Sequence, residues 1–123
     1  MKTQKHYSND LKCRRKDFDK QLGKACDKTV NKIKDPALRN CVNESCKNGT
    51  VLCGDCTGQT SPDAGGFTVR GSLSAPVRWF KFCTNTIKGA NLGDIAIHEW
   101  AHGCGWGHGD GKGVPGNSGR LPN

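Results

Sequence analysis

The residues of this chain whose types and spacing could do chemistry are His98-Glu99-Trp100-Ala101-His102-Gly103-Cys104-Gly105-Trp106-Gly107-His108. On a helix, His98 and His102 stand one turn apart on one face, about 6 Å along the axis. That is a workable bite for a single tetrahedral zinc ion. Glu99 then points to the side, where it reaches a water on the metal without taking a coordination position. Gly105 can end the helix in a left-handed conformation, so that the chain turns and His108 supplies a third nitrogen. Three neutral imidazoles leave the metal's double charge intact and one position open, and water held there ionises with a pKa of about 7 instead of about 15.7. Glu99, as general base, would take a proton from that water as it attacks a carbonyl and pass it to a leaving amine. The chemistry expected is peptide-bond hydrolysis.

A bare His-Glu-x-x-His also occurs on ordinary amphipathic helices, with the histidines incidental. Here three of the chain's four histidines fall in this one window, and the apolar run Leu92-Gly93-Asp94-Ile95-Ala96-Ile97 ahead of it suits a buried helix. The extended pattern H-E-x-x-H-x-x-G-x-x-H resembles the signature of the metzincin clan of zinc peptidases. The resemblance implies His98, His102 and His108 as zinc ligands and Glu99 as general base. Separately from it, the nearby carboxylate of Asp110 is the residue that would replace or support His108 as third ligand. The resemblance covers the active-site helix and at most the strand before it. The chain departs from the clan in having no methionine beyond Met1, hence no Met-turn, and no tyrosine beyond Tyr7. It is similar in size, cysteine content and motif placement to the minimal metallopeptidase domains at the C-termini of bacterial polymorphic, Rhs-type toxins.

The elements that must position this window are read from periodicity and punctuation. Leu11, Phe18, Leu22, Cys26, Val30 and Ile33 recur at helical spacing, with Ser8 or Asn9 as cap and Asp35-Pro36 as the stop. Asp35 and Pro36 can in turn be N-cap and first residue of a helix carrying Leu38, Cys41, Val42 and Cys46, ending near Asn48-Gly49. Residues 50–53, 66–70 and 77–83 read as strands separated by Gly- and Pro-rich turns. By position, residues 77–83 are the candidate for the strand at the cleft edge that holds an extended substrate. The expectation is a single α+β domain over residues 1–123 with a minimal zincin-like fold. Residues 1–49 would be mainly helical, 50–90 short strands of a small mixed sheet, 91–108 the active-site helix and third-ligand turn, and 109–123 an irregular tail.

Eight cysteines and 17 glycines in 123 residues describe a small core that needs staples. Disulfides formed in an oxidising compartment are the favoured reading. Under it Cys104 is a stapled residue, and Cys83, at the end of the strand before the helix, is its candidate partner. The competing reading is a second, structural zinc at Cys41, Cys46, Cys53 and Cys56, the last pair having the C-x2-C spacing of a zinc knuckle. No segment has the apolar length of a membrane span. Residues 1–7 lack the apolar stretch of a signal peptide, so a secreted or delivered domain, extracellular or periplasmic, is expected to owe its export to something other than a leader here.

Charge is uneven. Of a net +8, residues 1–47 contribute 13 basic against 6 acidic side chains. That suits an acidic partner, such as an immunity or inhibitor protein, or simply a solvated helix face. Few aromatics interleave with the basic run, which disfavours nucleic acid. The leading expectation is therefore a zinc endopeptidase acting on a protein or peptide substrate, as a secreted or toxin effector. The alternatives are a DNA-associated protease of the SprT-like type and a zinc hydrolase of peptidoglycan stem peptides.

Overall fold

In a computed structural model of the chain, residues 8–10, 18–60, 64–84, 92–109 and 111–114 are described. They form helices α1 (Phe18–Asp27), α2 (Pro36–Asn48) and α3 (Leu92–Gly103) and strands β1 (Ser8–Asp10), β2 (Thr50–Gly54), β3 (Gly66–Phe67) and β4 (Trp79–Cys83). The sheet runs β1-β2-β4-β3. β1, β2 and β4 are parallel, and β3 lies antiparallel on β4, with Gly66 opposite Phe82 and Phe67 opposite Lys81. This is the expected α+β arrangement of N-terminal helices, a small mixed sheet and a helix carrying the histidines.

Local chemistry accounts for the boundaries. α2 starts where Asp35 accepts the Leu38 N–H through Oδ2 at 2.8 Å, with Pro36 as the first helical residue. The long N-terminal helix read from periodicity is shorter. Ser8 and Asn9 belong to β1, and α1 gives way after Asp27 to a 3-10 turn over Thr29–Lys32. The spacing of Leu22, Cys26, Val30 and Ile33 is preserved in burial because the turn carries the same face onward. Leu11 lies outside the described residues.

The strand expected over 66–70 closes after Phe67. There the Thr68 hydroxyl donates to the Trp79 carbonyl at 2.6 Å, and the chain departs toward the end of α3. The strand expected over 77–83 begins at Trp79. It is also not the edge: β4 is paired on both sides, and β3 ends the sheet. The alternation and aromatic content of β4 suit an inner strand as well as an outer one, so local pattern does not distinguish the two.

Burial follows period two, with Val51 and Cys53 on β2 and Phe80 and Phe82 on β4 turned into the core. Trp100 of α3 meets the Phe80 ring edge-on at a centroid distance of 5.2 Å. Leu22, Ile33, Leu38, Leu92 and Ile97 complete this apolar centre. α3 is thus fixed to the sheet through its most buried face.

Disulfides join Cys26 to Cys46, Cys41 to Cys104 and Cys56 to Cys83, and Cys53 is also disulfide-bonded. The favoured disulfide reading holds over the competing zinc site, and the partner expected for Cys104 is corrected. Cys41, Cys46, Cys53 and Cys56 do not gather as a zinc site, because their sulfurs are committed to separate bridges. Cys104 is stapled, but to Cys41 of α2 rather than to Cys83, which bonds Cys56 beside the end of β2. Among the described residues no helix is long and apolar enough to cross a membrane.

Candidate metal centre

α3 is held at both ends before any histidine is considered. At its start the Leu92 N–H donates to Gln21 Oε1 of α1 at 3.1 Å. At its end Gly105 adopts φ +96°, donating its N–H to the His102 carbonyl at 2.9 Å, while the Trp106 N–H reaches back to Ala101 at 3.0 Å. These two bonds define a Schellman motif with glycine at the left-handed position. The sequence-based expectation that Gly105 ends the helix and turns the chain is met.

The turn brings the three histidines together. His98 and His102 present their Nε2 atoms 3.1 Å apart, and His108 Nε2 lies 3.1 Å from that of His98. One ligand atom from each of the three falls within 4.8 Å of the others. Tetrahedral zinc with nitrogens at about 2.0–2.1 Å separates its ligand atoms by about 3.4 Å, so the donor set fits one such ion. Asp110 lies outside the described residues.

Two features tune the triad. His102 Nδ1 lies 2.9 Å from the Trp106 carbonyl, an acceptor only, so Nδ1 carries the proton and the Nε2 lone pair faces the other histidines. The Trp106 indole is buried among all three imidazoles, with centroid distances of 5.0 Å to His98, 4.8 Å to His102 and 5.3 Å to His108. Exposure rises across the group, from buried His98 through half-buried His102 to exposed His108, so solvent reaches it from the His108 side.

Glu99 is only 2 % exposed, a rare degree of burial for a carboxylate-bearing side chain. Its side chain passes under β3. A Cβ placed on Gly66 would sit 2.7 Å from Glu99 Cγ and 3.1 Å from Cδ. Glycine at 66 is what lets the sheet edge approach this carboxylate-bearing side chain.

Sequence reasoning missed Trp106 and Arg70. Trp106 had a local signal: an apolar residue directly after a left-handed glycine is the position that folds back onto a helix end. Arg70, whose guanidinium hydrogen-bonds the Gly105 carbonyl, had none, because the contact spans 35 residues. No family model, curated protein or solved structure matches this chain.

Proposed function

We propose that the chain is a zinc-dependent endopeptidase of metzincin-like type, with His98, His102 and His108 as metal ligands and Glu99 as general base. The observation that carries this reading is the convergence of three imidazole nitrogens from α3 and its following turn, with the Glu99 carboxylate held next to the first of them in sequence. When bound, zinc supplies a Lewis acid that acidifies water and polarises a carbonyl.

The protein's own groups do the rest. The three imidazoles bind as neutral ligands, and the Trp106 carbonyl holds His102 in the required tautomer. Glu99 takes the proton released by the attacking water and delivers it to the leaving amine.

The sheet edge supports a peptide substrate. β3 ends the sheet directly over Glu99, so an extended chain adding to that edge would pass beside the carboxylate. Gly66–Phe67 therefore takes the substrate-holding role first assigned to residues 77–83. The disulfides support an oxidising setting, as for a secreted or toxin effector domain, and they remove the cysteine zinc module that a DNA-associated protease reading drew on.

The test is a peptide library, generated from a denatured proteome, incubated with zinc-loaded protein and read by mass spectrometry for new peptide ends. New ends from wild type and none from Glu99→Gln are expected. No new ends from either protein would overturn the proposal.

A further inference from the structure

His98 and His102 share one face of α3, whereas His108 stands beyond the helix, on the turn that follows it. It sits in Gly105-Trp106-Gly107-His108-Gly109, where three of five residues are glycine and two of those, Gly105 and Gly109, have positive φ. Such a backbone is costly to order and does not by itself choose one path. The Schellman bonds and the buried Trp106 fix the first half of the segment, and contacts from outside it bear on the rest.

Arg70, just after β3, contacts this segment twice. Its Nε and Nη2 donate to the Gly105 carbonyl at 3.2 and 2.9 Å. Its guanidinium also lies against Gly107, where an added Cβ would stand 3.2 Å from Nη2 and 3.5 Å from Cζ. The main chain beside it completes the clamp: the Gly71 N–H donates to the His102 carbonyl at 3.1 Å and the Val77 N–H to the Gly103 carbonyl at 2.8 Å. The loop from β3 to β4 thus takes up three carbonyls at the end of α3, and the guanidinium cation stands at the negative end of the helix dipole.

We infer that Arg70 is the positioning residue that holds His108 at ligand distance, an inference that rests on reading the histidine triad as a metal centre. A lysine cannot reproduce it. Two donors converging on one carbonyl and a flat face against a glycine are properties of guanidinium.

The experiment compares oxidised wild type with Arg70→Ala, Arg70→Lys, His108→Ala and the Arg70→Ala/His108→Ala double variant. Zinc affinity is measured by competition with a chromophoric chelator, and ligand number is followed by the visible spectrum of the cobalt(II) form. Arg70→Ala should weaken zinc binding roughly 10- to 100-fold, the usual effect of losing a group that orients a ligand. Its cobalt spectrum should move to that of His108→Ala, and Arg70→Lys should fall between. In the His108→Ala background, removing Arg70 should cost nothing more.

Wild-type affinity in Arg70→Ala, or an equal loss from it with and without His108, overturns the inference, the latter because it marks general support of the fold. Should Arg70→Ala fail to fold, Arg70→Lys, which keeps the stem and charge, carries the same comparison alone. Failure of wild type to bind zinc, or a His108→Ala protein that binds as wild type does, would bring down the triad itself and is distinguishable from failure of Arg70.

Discussion

At the scale of single residues, the proposed function gives Glu99 the chemistry and Trp106 the support. Glu99 is buried beneath β3 but outside the histidine cluster. Glu99→Gln is nearly isosteric and should leave zinc stoichiometry and the unfolding midpoint close to wild type while abolishing hydrolysis. Loss of zinc from that variant on elemental analysis would assign Glu99 a role in holding the metal instead. Trp106→Ala should do the opposite, weakening both. Removing a buried tryptophan costs about 3–5 kcal/mol of stability, and the imidazoles lose the surface they pack on. Thermal unfolding with and without zinc measures both losses together.

At the scale of elements, the candidate site was legible where its parts are local. The i, i+4 histidines, the terminating glycine and the Asp35 cap each involve residues within one or two helical turns, and each stands where the spacing put it. The order of the strands was not legible. The place of β3 at the edge and of β4 inside depends on the pairing of strands distant in sequence, Gly66 with Phe82 and Thr50 with Trp79, which no periodicity records.

The Schellman turn gives an element-scale test. Gly105 at φ +96° is strained for any residue with a Cβ, so Gly105→Ala should destabilise the protein by more than about 1 kcal/mol and displace His108. Denaturant unfolding and zinc affinity should fall together. Asp94, in the first turn of α3, offers a pH test. Burial raises its pKa above the usual carboxylate value, with Lys32 partly opposing. The native state therefore holds the proton more tightly than the unfolded chain, and stability drains away as pH rises through the carboxylate range. Asp94→Asn should flatten that fall in an unfolding series across pH.

At the scale of the whole molecule, covalent bridges connect the core to the site. Cys41–Cys104 closes a loop of sequence separation 63 and ties α2 to the residue just before the Gly105 turn. On the chain-entropy view such a loop is worth about 4 kcal/mol. That the cysteines form disulfides was readable from their even number in a small glycine-rich chain. Which pairs they form was not, since partners are chosen by helix packing and not by spacing, and Cys104 accordingly found Cys41 rather than Cys83. Reduction should lower zinc affinity before the secondary structure melts, seen as zinc release under a phosphine reductant that carries no thiol while far-ultraviolet dichroism persists. Retained zinc in a fully reduced chain would show that the bridges serve stability alone.

The claim on which the rest depends is that three histidines hold one zinc ion and leave a position open. X-ray absorption at the zinc edge, on oxidised protein loaded with one equivalent of zinc, tests it directly. Three imidazole nitrogens at about 2.0–2.1 Å and one further light atom are expected, with no sulfur. A sulfur shell at about 2.3 Å, or fewer than three imidazoles around the metal, would contradict it.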